Sequence, residues 1–249
     1  MVMRLMDGRP IATTRAAVRT VSRVVLSQGE DRGLLAHGLA DDHLHAVLAA
    51  SRPAVGDFAR YVEIALGRLL GLGSRFQSAH IVPLQNQDHA LRTFHYVQRQ
   101  DARHGLDRDP MREGTSLPDM LAIRLVGSSI AERVREHLPR LRPEHLMQHF
   151  PAGAFVERPI DLRVLADAAA AVFALPDLRG RGDELARARR AAVHVAGKEV
   201  PTRALSEVLE IGARAVQMLR ALPPELVVVR AVKLQALLRT QAKKLNEVG

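Results

Sequence analysis

The chain has 249 residues, with 36 Lys+Arg against 27 Asp+Glu, a net charge of +9 and a pI of about 10.9; this balance predicts a polyanionic partner, nucleic acid first and an anionic membrane surface second. Zero Cys excludes disulfide scaffolds, thiolate zinc sites and cysteine nucleophiles, and zero Trp with 3% aromatic residues leaves little for a run of bases to stack on. Neither end carries an apolar run long enough for a signal sequence or a spanning helix, which predicts a soluble, cytoplasmic protein.

Val18, Val21, Val24 and Val25 recur at helical spacing after the caps Thr13 and Thr14, so 12–28 is predicted as an amphipathic helix. Two short apolar runs, 33–39 and 43–49, flank Asp41-Asp42 and predict a hairpin. Val55, Phe58, Val62, Ala65 and Leu69 mark a helix at 54–70, ended by Gly71 and Gly73. A third strand is predicted at 78–84, with Pro83 confining it to an edge. From Asp88, taken as the N-cap, to about 103, Ala90, Leu91, Phe94 and Val97 predict a further helix. This interleaving implies an α+β fold, a ferredoxin-like sandwich whose antiparallel sheet has helices over one face. Only Val2 to Met6 is available for a first strand.

Beyond 115 the strand signal vanishes, and helices are predicted at 118–125, 130–138, 162–174, 184–195, 202–209, 213–222 and 226–242. The expected organisation is a first domain at 1–125, a helical connector at 126–180 and a helical domain at 181–249. The charge excess is +4 over 1–150 and +5 over 151–249, so both halves are basic.

The segment Asp42-His43-Leu44-His45-Ala46-Val47-Leu48 places His43 and His45 on one strand face and Leu44, Ala46 and Leu48 on the other. Imidazoles at i and i+2 can share one divalent cation. On the helix at 88–103, Tyr96 lies opposite the apolar face, with Arg92, Arg99 and Arg103 around it and Gln100 four residues on. A hydroxyl nucleophile, cations for a phosphate and a metal to polarise it are what phosphodiester transesterification needs. Tyr61 is read as a packing residue beside Phe58 and Val62, and His37, His80, His89, His95 and His104 show no ligand spacing.

These residues resemble the HUH single-tyrosine transposases, in particular the REP-associated tyrosine transposases and their insertion-sequence relatives. The likeness runs from Gly33 to about Leu125: a strand ending in His43-Leu44-His45, Tyr96 51 residues after His45, Gln100 four residues later, and a run Ala102-Arg103-His104-Gly105-Leu106-Asp107-Arg108-Asp109-Pro110 after the tyrosine helix. The resemblance implies that His43, His45 and Gln100 bind Mg²⁺ or Mn²⁺ and that Tyr96 cleaves single-stranded DNA through a 5′-phosphotyrosine link. Arg92, Arg99 and Arg103 are assigned to flanking phosphates on helix geometry alone. Asp42 stands where the family often has Asn. With the scarcity of aromatics, it motivates the alternative of a non-catalytic, domesticated DNA-binding regulator; a plain metal-dependent hydrolase is a third reading.

Further on, 202–209 and 213–222 have the spacing of a helix-turn-helix whose second helix presents Arg214, Gln217 and Arg220. Residues 180–243 more faintly resemble the DNA-binding domain of the bacterial replication initiator, with Glu210 where a Gly is usual. Arg187, Arg189 and Arg190 are then expected on a duplex backbone. Such a protein is expected at the bacterial nucleoid, and a homodimer with shared active sites stays open.

Overall fold

The computed structural model describes residues 1–40, 42–100, 111–127, 129–149 and 160–248, with side chains up to Gln241. It divides into two compact units. The first comprises Met1–Leu121 and Val126–Phe150, the second Ala122–Leu125 and Pro151–Gly249. The expected connector at 126–180 therefore has no body of its own: its first part belongs to the first unit and the rest to the second.

The first unit is α+β. Strands β1 (Val2–Arg4), β2 (Leu34–Leu39) and β3 (His43–Leu48) form an antiparallel sheet in the order β1-β3-β2, so the strand with the two histidines is central. Its register pairs Gly38 and Val2 with His45, and Leu39 and Met3 with Leu44. Alternation therefore puts Leu44, Ala46 and His37 on one face, and His43, His45, Gly38, Val2 and Arg4 on the other.

Helix α1 (Arg15–Gly29) starts at Thr14, whose hydroxyl accepts from the Ala17 N–H, and it buries Val21, Val24 and Val25. Helix α2 (Arg52–Leu69) has Pro53 in its first turn and buries Val55, Phe58, Val62 and Leu66. The two helices pack on each other. Ser22 of α1 hydrogen-bonds His37, which fixes α1 to the face with Leu44 and Ala46. Full burial of side chains such as Phe58, Val62 and Leu66 contributes roughly 1.5–3 kcal/mol each. Tyr61 is half-buried, as expected of a packing residue, with the guanidinium groups of Arg32 and Arg60 at 4.7 and 5.2 Å from its ring centre.

The strand expected at 78–84 is reduced to bridges. Gln77 N–H donates to the Arg4 carbonyl, and Val2 and His80 exchange two backbone hydrogen bonds of 2.9 Å. The pairing stops short of Pro83, which has no N–H to offer. On the opposite edge, Leu39 N–H bonds the Gly114 carbonyl and Ser116 N–H the His37 carbonyl.

Helix α3 (Gln87–Gln98) is capped by Asn86, whose side chain accepts from the His89 N–H at 2.9 Å, so the cap lies two residues earlier than Asp88. Phe94 and Val97 are its buried anchors, as the periodicity predicts. Arg103 and the run 102–110 that carries part of the resemblance lie outside the described residues. Helix α4 (Leu117–Met120) is shorter than expected because Ala122 turns left-handed at φ 53°. Helix α5 (Ile130–His137) agrees with its pattern, and α6 (Pro143–Met147), for which no helix is expected, begins at a proline. Proline suits a first helical position, where no N–H is needed.

The second unit is helical among the described residues: α7 (Leu162–Val172), α8 (Asp183–Ala196), α9 (Thr202–Val208), α10 (Ala213–Ala221) and α11 (Leu226–Val248). The alanine cluster 168–171 is fully buried on α7, where small side chains let α11 and α8 approach closely. Arg239 of α11 pairs with Asp167 of α7 at 2.7 Å. No helix among the described residues is long and apolar enough to cross a membrane.

Candidate active site

His43 and His45 are 1% and 7% exposed on the central strand, their rings edge to face with centres 4.6 Å apart. The Tyr96 ring meets His45 edge to face at 5.3 Å and 89°. Three side chains singled out in the sequence thus form one continuous row, in the order His43, His45, Tyr96. Gly38 makes the approach feasible. It is the cross-strand partner of His45, and a Cβ there would stand 2.2 Å from the carbonyl oxygen of Val97, the residue after Tyr96. Only a bare backbone at this position lets α3 lie directly on the strand pair.

Tyr96 is 37% exposed, so its ring contacts His45 while part of it stays open to solvent. Gln100 is 1% exposed; its Nε2 donates to the Tyr96 carbonyl at 2.9 Å, and its Oε1 has no hydrogen-bond partner among the described residues. A buried amide oxygen without a donor costs about 1–3 kcal/mol unless something outside the chain meets it. Arg92 and Arg99 are exposed on the tyrosine side of α3, and neither has an ion-pair partner among the described residues.

Asp42 takes a role beyond that of a departure from the family pattern. Its carboxylate lies 2.5 Å from His43 Nδ1, and this hydrogen bond, supported by the charges of His43 and Arg4, holds the carboxyl below the usual carboxylate range. An ionised acceptor at Nδ1 calls for an N–H there, so whenever His43 is neutral its lone pair sits on Nε2. Carboxylate–histidine pairs of this kind orient metal ligands. Arg4, opposite His43 on β1, adds an exposed cation beside the pair. Sequence reasoning did not find Arg4, whose signal lies only in the β1–β3 register.

Among the described residues, no group of three or more His, Asp or Glu is placed to hold a metal ion. The donor set on offer is two imidazoles and one carboxamide oxygen, and the unmet Gln100 Oε1 fits a cation as its missing partner. This mixed nitrogen and oxygen set suits Mn²⁺ better than Mg²⁺, which prefers oxygen alone.

A second histidine group was invisible in the sequence because its members lie some 50 residues apart. His95 Nδ1 is 3.3 Å from His149 Nε2 with the rings stacked, and the His145 ring is 5.9 Å from that of His95. Burial pushes the His95 pKa down, and the charges of Arg99 and His145 push it the same way. As pH falls, the unfolded chain therefore takes up this proton first, and stability that is complete above the ordinary histidine pKa of about 6.5 drains away below it. Urea titrations at decreasing pH are expected to show this loss, and His95→Gln should flatten it; an unchanged slope in the variant would assign the acid sensitivity elsewhere.

In the second unit the expected DNA contacts fall into two sets. Arg187 and Arg190 both bind the Glu225 carboxylate, and Arg187 also lies over the Phe173 ring at 4.9 Å. Arg189 donates to the carbonyls of Leu178 and Gly180, and Arg220 to the Val200 carbonyl and the Thr202 hydroxyl. These four hold the unit together. Arg214 and Gln217 are exposed on α10. Between α9 and α10, Glu210 adopts φ 52°, the left-handed turn for which glycine is favoured, and its carboxylate is held by Arg179 at 2.6 Å.

Compared with known proteins, no family model, no curated protein and no solved structure matches the chain.

Proposed function

We propose that the first unit is a single-tyrosine, metal-dependent nicking and joining enzyme for single-stranded DNA, of the kind its sequence resembles. The observation that carries this reading is the contact of Tyr96 with His45 beside the buried His43, with Gln100, just past the end of α3, hydrogen-bonded to the Tyr96 carbonyl. The chain order also supports it. Segment 76–80, β1, β3 and β2 lie side by side as 4-1-3-2, with α1 on one face and the histidines and α3 on the other. This neighbour order supports reading the unit as ferredoxin-like, with the bridged segment 76–80 in the place of a fourth strand.

In this mechanism Tyr96 gives its phenolic proton to solvent and its oxygen attacks the scissile phosphorus. The Tyr96 O–P bond forms, the P–O3′ bond breaks, and O3′ leaves with a proton from solvent as a free 3′-hydroxyl. The 5′-phosphotyrosine conserves the bond energy for later joining of another strand. His43, with Asp42 on its far nitrogen, His45 and Gln100 would hold Mn²⁺ or Mg²⁺, which when bound supplies Lewis-acid polarisation of the phosphate. Arg92, Arg99 and Arg4 face the same side and neutralise flanking phosphates.

The second unit is read as a duplex-binding helix-turn-helix presenting Arg214 and Gln217, with DNA as the partner and the nucleoid as the place of action. The left-handed Glu210 supports that turn.

The testing experiment incubates the protein with labelled single-stranded DNA from around its own gene and Mn²⁺, and follows a denaturant-resistant adduct. Adduct formation is expected with Mn²⁺, more slowly with Mg²⁺, and not with EDTA or with His43→Ala. An adduct that survives both removals would sink the metal scheme. Cleavage leaving a free 5′-phosphate and no adduct would point to a hydrolase, and DNA binding with no cleavage to a regulator.

A further inference from the structure

The mechanism uses only the lip of a larger feature. Beside Tyr96 lies a cavity of about 590 Å³, within the size range of small-molecule sites, bounded by β3, the first turn of α2, residues 80–84 and α3. His45 and Tyr96 both line it, so it is continuous with the reacting groups. Its walls are aliphatic, formed among others by Val47, Val55, Ile81 and Leu84.

Charge gives the cavity a sign. Among the described residues that line it there is no Asp or Glu, while Arg52, His80 and His89 stand on its polar side. Arg52 is exposed in the first turn of α2, where helix N–H groups also favour an anion, and it has no ion-pair partner among the described residues. The Thr93 hydroxyl, spent as a donor on the His89 carbonyl at 2.8 Å, still offers lone pairs to an incoming N–H. Flat apolar walls, one aromatic edge, a few hydrogen-bonding groups and a cation at the rim together match a nucleobase followed by its phosphate.

We infer that this cavity receives one unstacked base of the single strand, that of the nucleotide next to the scissile phosphate. The inference rests on the reading of Tyr96 as a nucleophile for single-stranded DNA. It also answers a difficulty posed by composition: with no Trp and 3% aromatic residues, the chain has little with which to build a row of aromatic platforms. Aliphatic enclosure of one base replaces the row. Position along the strand is then fixed by one pocketed nucleotide, which brings the following phosphate towards Tyr96.

The test is a titration of the full-length protein, methyl-labelled, in EDTA. Thymidine 5′-monophosphate, up to about 10 mM as befits a weak single-nucleotide ligand, should move the methyl signals of Val47, Val55, Ile81 and Leu84. The base-free 2-deoxyribose 5-phosphate should leave them in place. A thymidine hexanucleotide should move the same signals with a Kd at least tenfold lower, since the linked phosphates add contacts. Val82→Glu puts a carboxylate at the cavity rim, at a position exposed enough to spare the fold. It should raise both constants tenfold or more with an unchanged circular dichroism spectrum.

Equal shifts with the base-free sugar phosphate, a hexanucleotide that binds no tighter than the mononucleotide, or undiminished binding by Val82→Glu would each overturn the inference. The two readings fail separately. Methyl shifts without any adduct keep the base pocket and remove the tyrosine chemistry; an adduct without methyl shifts does the reverse.

Discussion

Replacing Tyr96 by Phe is expected to abolish the covalent protein–DNA adduct, a loss of at least ~10³-fold in strand cleavage, while leaving DNA affinity within about twofold and the thermal midpoint unchanged. The change removes a single oxygen. Tyr96 is 37% exposed and its ring meets His45 edge to face, a contact that Phe retains. Stability then offers no explanation for lost activity, and any adduct formed by the variant would assign the nucleophile elsewhere. Tyr61, the other tyrosine, serves as the internal control. It lies between Arg32 and Arg60 on α2, and Tyr61→Phe should cleave normally.

The largest effect on stability is expected away from the site, at Arg19. Its guanidinium grips Glu113 through two hydrogen bonds of 2.5 and 3.0 Å, with both side chains 3% exposed. Arg19→Ala leaves a carboxylate buried without its cation, a change that costs about 3–5 kcal/mol. That is much of the 5–15 kcal/mol a typical domain has. Replacing both partners with apolar residues, Arg19→Met with Glu113→Leu, should recover most of the loss, because the expense lies in the stranded charge rather than in the missing pair. Urea denaturation of the single and double variants checks both statements; a single variant within about 1 kcal/mol of the parent would mean that water reaches Glu113.

This pair reaches the site through intermediates. The Ser22 hydroxyl donates to the Glu113 carbonyl and meets His37, while the Ser116 hydroxyl receives both the His37 N–H and Gln98 Nε2. Gln98 belongs to α3, two residues past Tyr96. Loss of Arg19 is therefore expected to reduce adduct formation as well, in proportion to the folded fraction.

How far the sequence discloses all this depends on how local each signal is. The His43-x-His45 alternation and the apolar spacing of Phe94 and Val97 are written within single elements, and the structure bears out the placement they imply. The helices of the second unit are legible for the same reason. The strand expected at 78–84 is not formed because its partner, β1, is only three residues long, so edge bridges at Phe76 and His80 replace a ladder. Arg187, Arg189, Arg190 and Arg220 look like a phosphate-binding edge because basic spacing says nothing about acceptors elsewhere. Glu225 and the backbone carbonyls that engage them lie nine or more residues away. Asp42 is adjacent in sequence to His43, yet its effect depends on which ring nitrogen it meets, and spacing does not encode that. The His95, His145 and His149 group lies beyond any local pattern.

The bare backbone at Gly38 has one more consequence. With no side chain there to interlock with α3, the tyrosine helix is held by its buried anchors Phe94 and Val97 and, at its two ends, by the Gln87–His137 and Gln98–Ser116 hydrogen bonds. The histidines belong to the sheet, whereas Tyr96 is carried by a separate helix. Substitutions at those two ends would shift Tyr96 relative to His43 and His45 through residues that touch neither ring.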